Sequence, residues 1–286
     1  MAVASARKLK LQWKSIWEAI AGASWPWRIT LVYLALMLFL PMLAMFLKAT
    51  SGSPVQFWKI ATSSVAMSAY DVTFVTALIT ALINGVFGTI IAWVLVRYEF
   101  PMKRIIDAAI DIPFAIPTAV AGLTIATVYS ENGWIGSLLA PFGIKVAFTR
   151  LGVAVAMLFI SLPFVVRTLQ PVLREIEPEL EEAALCLGAT KSQTFIRVIL
   201  PPLLPAIITG IALGFSRAVG EYGSVVIVAS NIPFKDLSAP VLVFQRLEQY
   251  DAYGATVIGT VLLLVSLVIL VGINLIQAWE RRYAEK

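Results

Sequence analysis

The chain contains no histidine and a single cysteine, Cys186, and only 14% of its 286 residues are charged. Without histidine, the commonest general base and the commonest transition-metal ligand are both missing, so hydrolytic or zinc chemistry is a poor starting assumption. One cysteine rules out an intrachain disulfide and any Cys-rich metal or redox centre. The shortage of charge says most. A soluble domain carries about 25% charged residues. The 59% apolar content exceeds what one globular core of this length can hide, whereas lipid solvates it readily. The net charge of +5 would suggest nucleic acid only if the basic residues gathered on one soluble face. They lie instead in short segments between apolar runs, and no nucleic-acid partner is expected.

What is present is a series of uncharged stretches, at 29–47, 72–96, 112–130, 151–166, 198–216 with 222–234 beyond it, and 252–279. A bilayer core needs about 20 apolar residues as helix. Five regions approach or exceed that length. The fourth is shorter, but Arg150 and Arg167 at its ends can reach the interfaces by snorkelling. The pattern predicts an all-α membrane protein of six transmembrane helices. With the N-terminus inside, cytoplasmic segments hold fifteen Lys and Arg against six in outer loops, which places both termini in the cytoplasm. Residues 1–27 are basic and partly amphipathic but lack a separate apolar stretch with a small-residue cleavage site, and read as a juxtamembrane anchor rather than a removable signal. The membrane domain is expected over 28–280, with 281–286 as a cytoplasmic tail. In the outer loop 231–251, Leu237, Val241, Phe244 and Leu247 are spaced for the apolar face of a short helix lying on the membrane.

The loop between the fourth and fifth regions reads Glu175-Ile-Glu-Pro-Glu-Leu-Glu-Glu-Ala-Ala-Leu-Cys-Leu-Gly-Ala-Thr-Lys-Ser-Gln. Pro178 suits a first helical turn, and the acidic run behind it complements a helix N-terminus. Gly188 fits a C-terminal cap that needs positive φ, and Thr190 with Gln193 forms a capping box opening a second helix. Small Ala183 and Ala184 leave a shallow surface for another protein. Without more, this is equally a solvated helical hairpin joining two spans.

Inside the spans, Arg217 and Glu221 are four residues apart and therefore on one helix face. A charge at the bilayer centre costs roughly 2.5–3.5 kcal/mol, so neither is expected to face lipid. They read as a mutually compensating pair, or as a pair that also biases a path towards an anion. Gly220 and Gly223 beside them permit close helix approach. Asp107 and Asp111 are also four apart. They read as interface anchors, with Asp111 a second candidate for the path. Pro113 and Pro117 follow, and such prolines kink a span or open its backbone hydrogen bonding to a cavity. Trp93 and Trp279 suit an interfacial belt.

Glu182-Ala183-Ala184, three residues, Gly188, nine residues, Val198, one residue, Leu200-Pro201 resembles the EAA loop of ABC importer permeases. Val198 stands where that family usually has isoleucine. The resemblance implies a type I ABC importer permease fold, in which the loop (171–200) docks on a separate ATPase through Glu182, Ala183, Ala184, Gly188, Leu200 and Pro201. Three further segments are similar to the sulfate/thiosulfate permeases, of the CysT (also called CysU) type. They are Asp111-Ile-Pro-Phe-Ala-Ile-Pro-Thr-Ala-Val-Ala-Gly-Leu-Thr, Arg217-Ala-Val-Gly-Glu-Tyr-Gly-Ser-Val and Phe244-Gln-Arg-Leu-Glu-Gln-Tyr-Asp. The similarity covers roughly residues 60–280. The Arg-Ala-x-Gly-Glu segment is shared with molybdate permeases, and a molybdate or tungstate permease is the alternative within the class. The family implies a bacterial inner-membrane complex. Its partners would be a homologous second permease of the CysW type, two ATP-binding subunits of the CysA type and a periplasmic sulfate/thiosulfate-binding protein. ATP and Mg would be used by the partner, with no cofactor on this chain and no catalytic activity of its own. That agrees with the lack of a G-x-x-x-x-G-K-[ST] phosphate loop. A secondary transporter is less favoured because no matched pair of broken spans is visible. A membrane-embedded enzyme is disfavoured because the spans carry no nucleophile–base set.

Overall fold

The computed structural model describes residues 25–284. Most of the basic N-terminal segment expected over 1–27 lies outside the described residues, as do the last two residues of the 281–286 tail. The chain divides into two units, residues 1–57 and 58–286. In the first, α1 (Trp25–Ala49) has the length and apolarity of a span. Its Ala35–Phe39 turn is a π-helix, closed by Leu40 N–H donating to the Ala35 carbonyl. The cause follows at Pro41, which has no N–H to give and whose ring crowds the preceding turn; one widened turn absorbs both defects. The short α2 (Pro54–Ala61) follows.

The second unit is a helical bundle. Its elements are α3 (Ser64–Arg97), α4 (Lys103–Ile110), α5 (Thr118–Tyr129), α6 (Arg150–Glu175), α7 (Pro178–Cys186), α8 (Lys191–Val219), α9 (Ala239–Glu248) and α10 (Ala252–Ala284). With 34 residues, α3 is about 51 Å long at 1.5 Å per residue, well beyond a hydrocarbon core of about 30 Å. The packed centre is α3 against α6 and α8. Along α3, Ala66, Ala69, Thr73, Ala77, Ala81, Gly85, Gly88 and Ala92 are buried at three- and four-residue spacing, so one helix face is built of small residues. A Cβ on Gly88 would stand 2.7 Å from Val165 of α6, which shows how near the backbones come. The opposite face exposes Leu78, Ile79, Leu82, Val86, Phe87 and Ile90, as a lipid-facing surface should. Within the packed face, Asn84 donates to the Leu158 carbonyl at 2.9 Å and to Ser161 Oγ at 2.8 Å, and that hydroxyl donates on to Met157 O at 2.6 Å.

Five described helices are long and apolar enough to cross a membrane, not six. The expected third span is broken. After α4 come a single turn, Ile112–Ala115, an extended Ile116 (φ −93°, ψ 133°), and then α5 of only 12 residues. A residue before proline is pushed out of the helical region by the ring that follows, and Pro117 applies that constraint here. The fourth and fifth spans are longer than the uncharged runs suggested. α6 continues to Glu175, so Arg167 lies inside the helix rather than at its end. α8 starts at Lys191 and passes through Pro201, Pro202 and Pro205 after a π-turn at Phe195–Ile199, where Leu200 N–H reaches back to Phe195 O. Residues 222–234 do not extend that span but form a loop around the single turn Val225–Val228. The helix of the loop expected outside, α9, is also packed differently than its spacing suggested. Leu237, Val241 and Leu242 are buried in the bundle core, while Phe244 and Leu247 are exposed.

Replacing Asn84 with alanine removes both interhelical bonds without creating a charge. Such bonds between membrane helices contribute about 1 kcal/mol. Asn84→Ala should unfold measurably earlier in a detergent denaturation series, with the helical circular-dichroism signal of the folded state unchanged.

Candidate functional site

Three constellations bring charged side chains together in the bundle. The first is the elbow between α6 and α8. α7 begins with Pro178 at its first turn and Glu179 and Glu181 near its N-terminus. It ends at Gly188, whose φ of +86° is open to glycine and strained for other residues. Thr190 Oγ1 accepts from Gln193 N–H, and Gln193 Oε1 accepts from Thr190 N–H; the capping box is present in full. Glu182, Ala183 and Pro201 are exposed, and Ala184 and Leu200 are half-buried. Leu180, Leu185 and Leu187 are also exposed, Leu187 to 89%. So the elbow presents an uncovered apolar surface bordered by carboxylates.

Arg97, at the last turn of α3, fastens this elbow. Its guanidinium donates to Ile176 O at 3.3 Å and pairs with Glu181 at 2.8 Å. It lies 5.4 Å from the Trp93 ring centroid, within cation–π range, and Trp93 meets Phe195 of the π-turn edge-on at 5.6 Å. One arginine thus joins the ends of α3 and α7, while the tryptophan beneath it reaches α8. The sequence had marked Trp93 as an interfacial belt residue. Its partner shows a packing role instead.

The second constellation centres on Arg167. Its Nε and Nη2 form a two-pronged contact with Asp111 at 2.8 and 2.7 Å, Nη1 donates to Asp107 Oδ1 at 2.7 Å and to Gln170 Oε1 at 2.6 Å, and Nη2 also donates to Asp107 O at 2.7 Å. The Gln170 amide donates to Asp107 Oδ1 at 2.8 Å. That amide first, and then the guanidinium, hold the Asp107 carboxyl below its usual range against the opposing effect of burial. The aspartates are therefore fastened to α6, more than the interface anchors their spacing suggested. A signal was available: Arg167, Gln170 and Arg174 recur at three and four residues, tracing one polar face on α6.

The third constellation joins Arg217 to Glu221 at 2.7 Å. The contact is as expected, but its geometry differs. α8 ends at Val219, with Gly220 as its cap, so Glu221 stands beyond the helix. Buried to 2% exposure, it uses its other oxygen to accept from Ser224 N–H and Ser224 Oγ, both at 2.9 Å. The carboxylate thereby closes the turn leading into Val225–Val228. Close approach at this point depends on Gly223, where a Cβ would fall on the Thr118 hydroxyl of α5; a Cβ on Gly220 would only make ordinary contact with the Ser216 carbonyl, at 3.9 Å.

The sequence model of the family described as binding-protein-dependent transport system inner membrane component matches residues 84–283. The chain is 68% identical over 262 residues to a probable sulfate transport system permease protein cysT of Chlorokybus atmophyticus, covering 92% of each. It is 65% identical over 270 residues to the sulfate transport system permease protein CysT of Synechocystis sp., covering 94% of this chain and 93% of that one. A bacterial ABC transporter involved in the import of the acidic polysaccharide alginate has a chain of the same fold, with a TM-score of 0.73 at 17% identity over 95% of this chain and 98% of that one. A chain of the MetNI methionine ABC transporter superposes with a TM-score of 0.55 at 19% identity over 81% of this chain and 99% of its own.

If Arg97 fastens the elbow, Arg97→Gln and Glu181→Gln should each increase amide hydrogen exchange across 177–190 several-fold. The double variant should add little to the larger single effect, because both changes remove one interaction.

Proposed function

The chain belongs to the binding-protein-dependent transport system inner membrane component family, and on that premise we propose that it is the permease subunit of an ATP-driven sulfate importer. The observation that carries this reading is the 68% and 65% identity, across more than nine-tenths of the chain, to proteins named as sulfate transport permeases. The chain supplies half of a translocation path, and a homologous second permease supplies the rest. The complex sits in a bacterial inner membrane and receives its anion from a periplasmic binding protein.

ATP is hydrolysed by two separate subunits. We place their contact on the elbow, at Glu182, Ala183, Ala184, Gly188, Leu200 and Pro201, on the cytoplasmic side. The exposed leucines of α7 suit a protein partner, since a free surface would leave them in water. Movement of the elbow then reaches α8 through the chain itself and α3 through Arg97. The non-helical φ at Gly188 fixes the angle between the two arms.

Arg217 is the residue we assign to the anion. It is about one-third exposed while its carboxylate partner is buried. Its guanidinium therefore keeps donors free for a dianion, and Glu221 limits the attraction so that the ion can leave. Asp111 serves the path indirectly, because the two-pronged contact with Arg167 occupies both its oxygens and steadies the α4–α5 break against α6.

Purified complex should show ATPase activity stimulated by sulfate-loaded binding protein and not by the molybdate-loaded form; the reverse preference would select the molybdate alternative. Arg217→Gln should reduce sulfate uptake about tenfold or more with assembly intact, as expected for losing one charge-assisted contact. Uptake at the original rate would refute the assignment. Gly188→Val should insert normally yet leave sulfate uptake near background, because a β-branched residue does not tolerate positive φ.

A further inference from the structure

The last turn of α3, the first turns of α4 and the final stretch of α6 enclose a cavity of about 700 Å³, within the size range of small-ligand sites. Its polar lining is Glu99, Lys103, Arg104, Asp107, Gln170 and Arg174. The two carboxylates are already engaged: Glu99 with Lys103 at 2.7 Å, Asp107 with Arg167 and Gln170. Arg104 and Arg174 make no hydrogen bond or ion pair among the described residues. Arg174 acts on Asp107 only across space, so two guanidiniums in one recess keep their hydrogen-bond donors free, and neither the elbow nor the Arg217 site uses them. From this we propose that the cavity binds the phosphate headgroup of an anionic phospholipid.

Three observations favour a lipid over a soluble anion. The cavity opens at the ends of two membrane-spanning helices, α3 and α6, where headgroups reside. Leu95, Val96, Phe100, Met102 and Ile105 complete its lining, giving apolar surface for a glycerol backbone and acyl stems. Of these, Met102 and Ile105 are exposed to 65% and 61%, and Tyr98 and Ile106 beside the cavity are exposed as well. α4 therefore carries basic and apolar side chains in one short stretch, as interfacial helices do. Guanidinium is suited to the task, since its planar fork matches two phosphate oxygens at once. Basic pockets between helices on the cytoplasmic side are where anionic headgroups are held. The inference requires the chain to span a bilayer but is independent of which anion the protein transports.

The test uses the intact transporter complex, purified in detergent and supplied with phosphatidylglycerol or phosphatidylcholine, with lipid retention read by native mass spectrometry. Phosphatidylglycerol should be retained and phosphatidylcholine should not. In the R104Q/R174Q double variant phosphatidylglycerol retention should weaken roughly thirtyfold, about fivefold for each basic residue at a membrane surface. R104K/R174K should keep part of it, because the charge stays while the two-pronged fork is lost, which separates loss of charge from misfolding. Equal retention by the R104Q/R174Q complex, or none by the unaltered one, would overturn the proposal. So would displacement of the lipid by millimolar inorganic phosphate, which would make the cavity a soluble-anion pocket.

Discussion

Between helices already surrounded by hydrocarbon, burying leucine gains nothing, because lipid tails are as apolar as the side chain itself. Cohesion has to come from close packing and from hydrogen bonds that lipid cannot offer. The small-residue face of α3 is the condition on which this bundle rests. It lets the α6 backbone approach until a single Cβ at Gly88 would collide with Val165, and it brings Asn84 within reach of a carbonyl and a hydroxyl on α6. The three charged constellations described above are arranged around that close-packed triad of α3, α6 and α8.

The charged contacts share a logic. Each of the three arginines paired in these constellations has its carboxylate partner on a neighbouring element or loop: Arg97 ties α3 to α7, Arg167 ties α6 to α4 and the turn beyond it, and Arg217 ties α8 to the loop it enters. Where such a pair is partly open to water, as Arg167 is with its two aspartates, it contributes little to stability. Their value lies in geometry, since a forked guanidinium fixes orientation as well as distance. A transporter must move its helices without losing their order, and orienting contacts at helix ends, with a dry packed middle, meet that demand.

Much of this was legible in the sequence. Gly188 and the Thr190–Gln193 box are local devices, determined by residues within one turn, and the structure carries both as written. The apolar runs located the spans, because composition alone decides what lipid will solvate. The misplacements arose where a non-local partner or a proline intervened. Arg167 looked like the end of a span because its compensation, two aspartates some sixty residues earlier, cannot be read from spacing. The break at Ile116 was readable only as a kink or an opened stretch of backbone, since sequence does not say whether a proline bends a helix or divides it. Glu221 kept its predicted partner but left the helix, because the Ser224 amide and hydroxyl offered it two more hydrogen bonds than another helical turn would have.

The widened turn at Phe195–Ile199 has a mechanical meaning. One additional residue in a helix shifts the angular phase of all that follows by about 100°, so the first turn of α8 and its long apolar body point their faces in directions that a regular helix would not combine. The shaft is keyed in two sections. Any displacement of Lys191–Thr194 has to pass this widened turn before it reaches Leu203, and the edge-on Trp93–Phe195 contact is where α3 braces it.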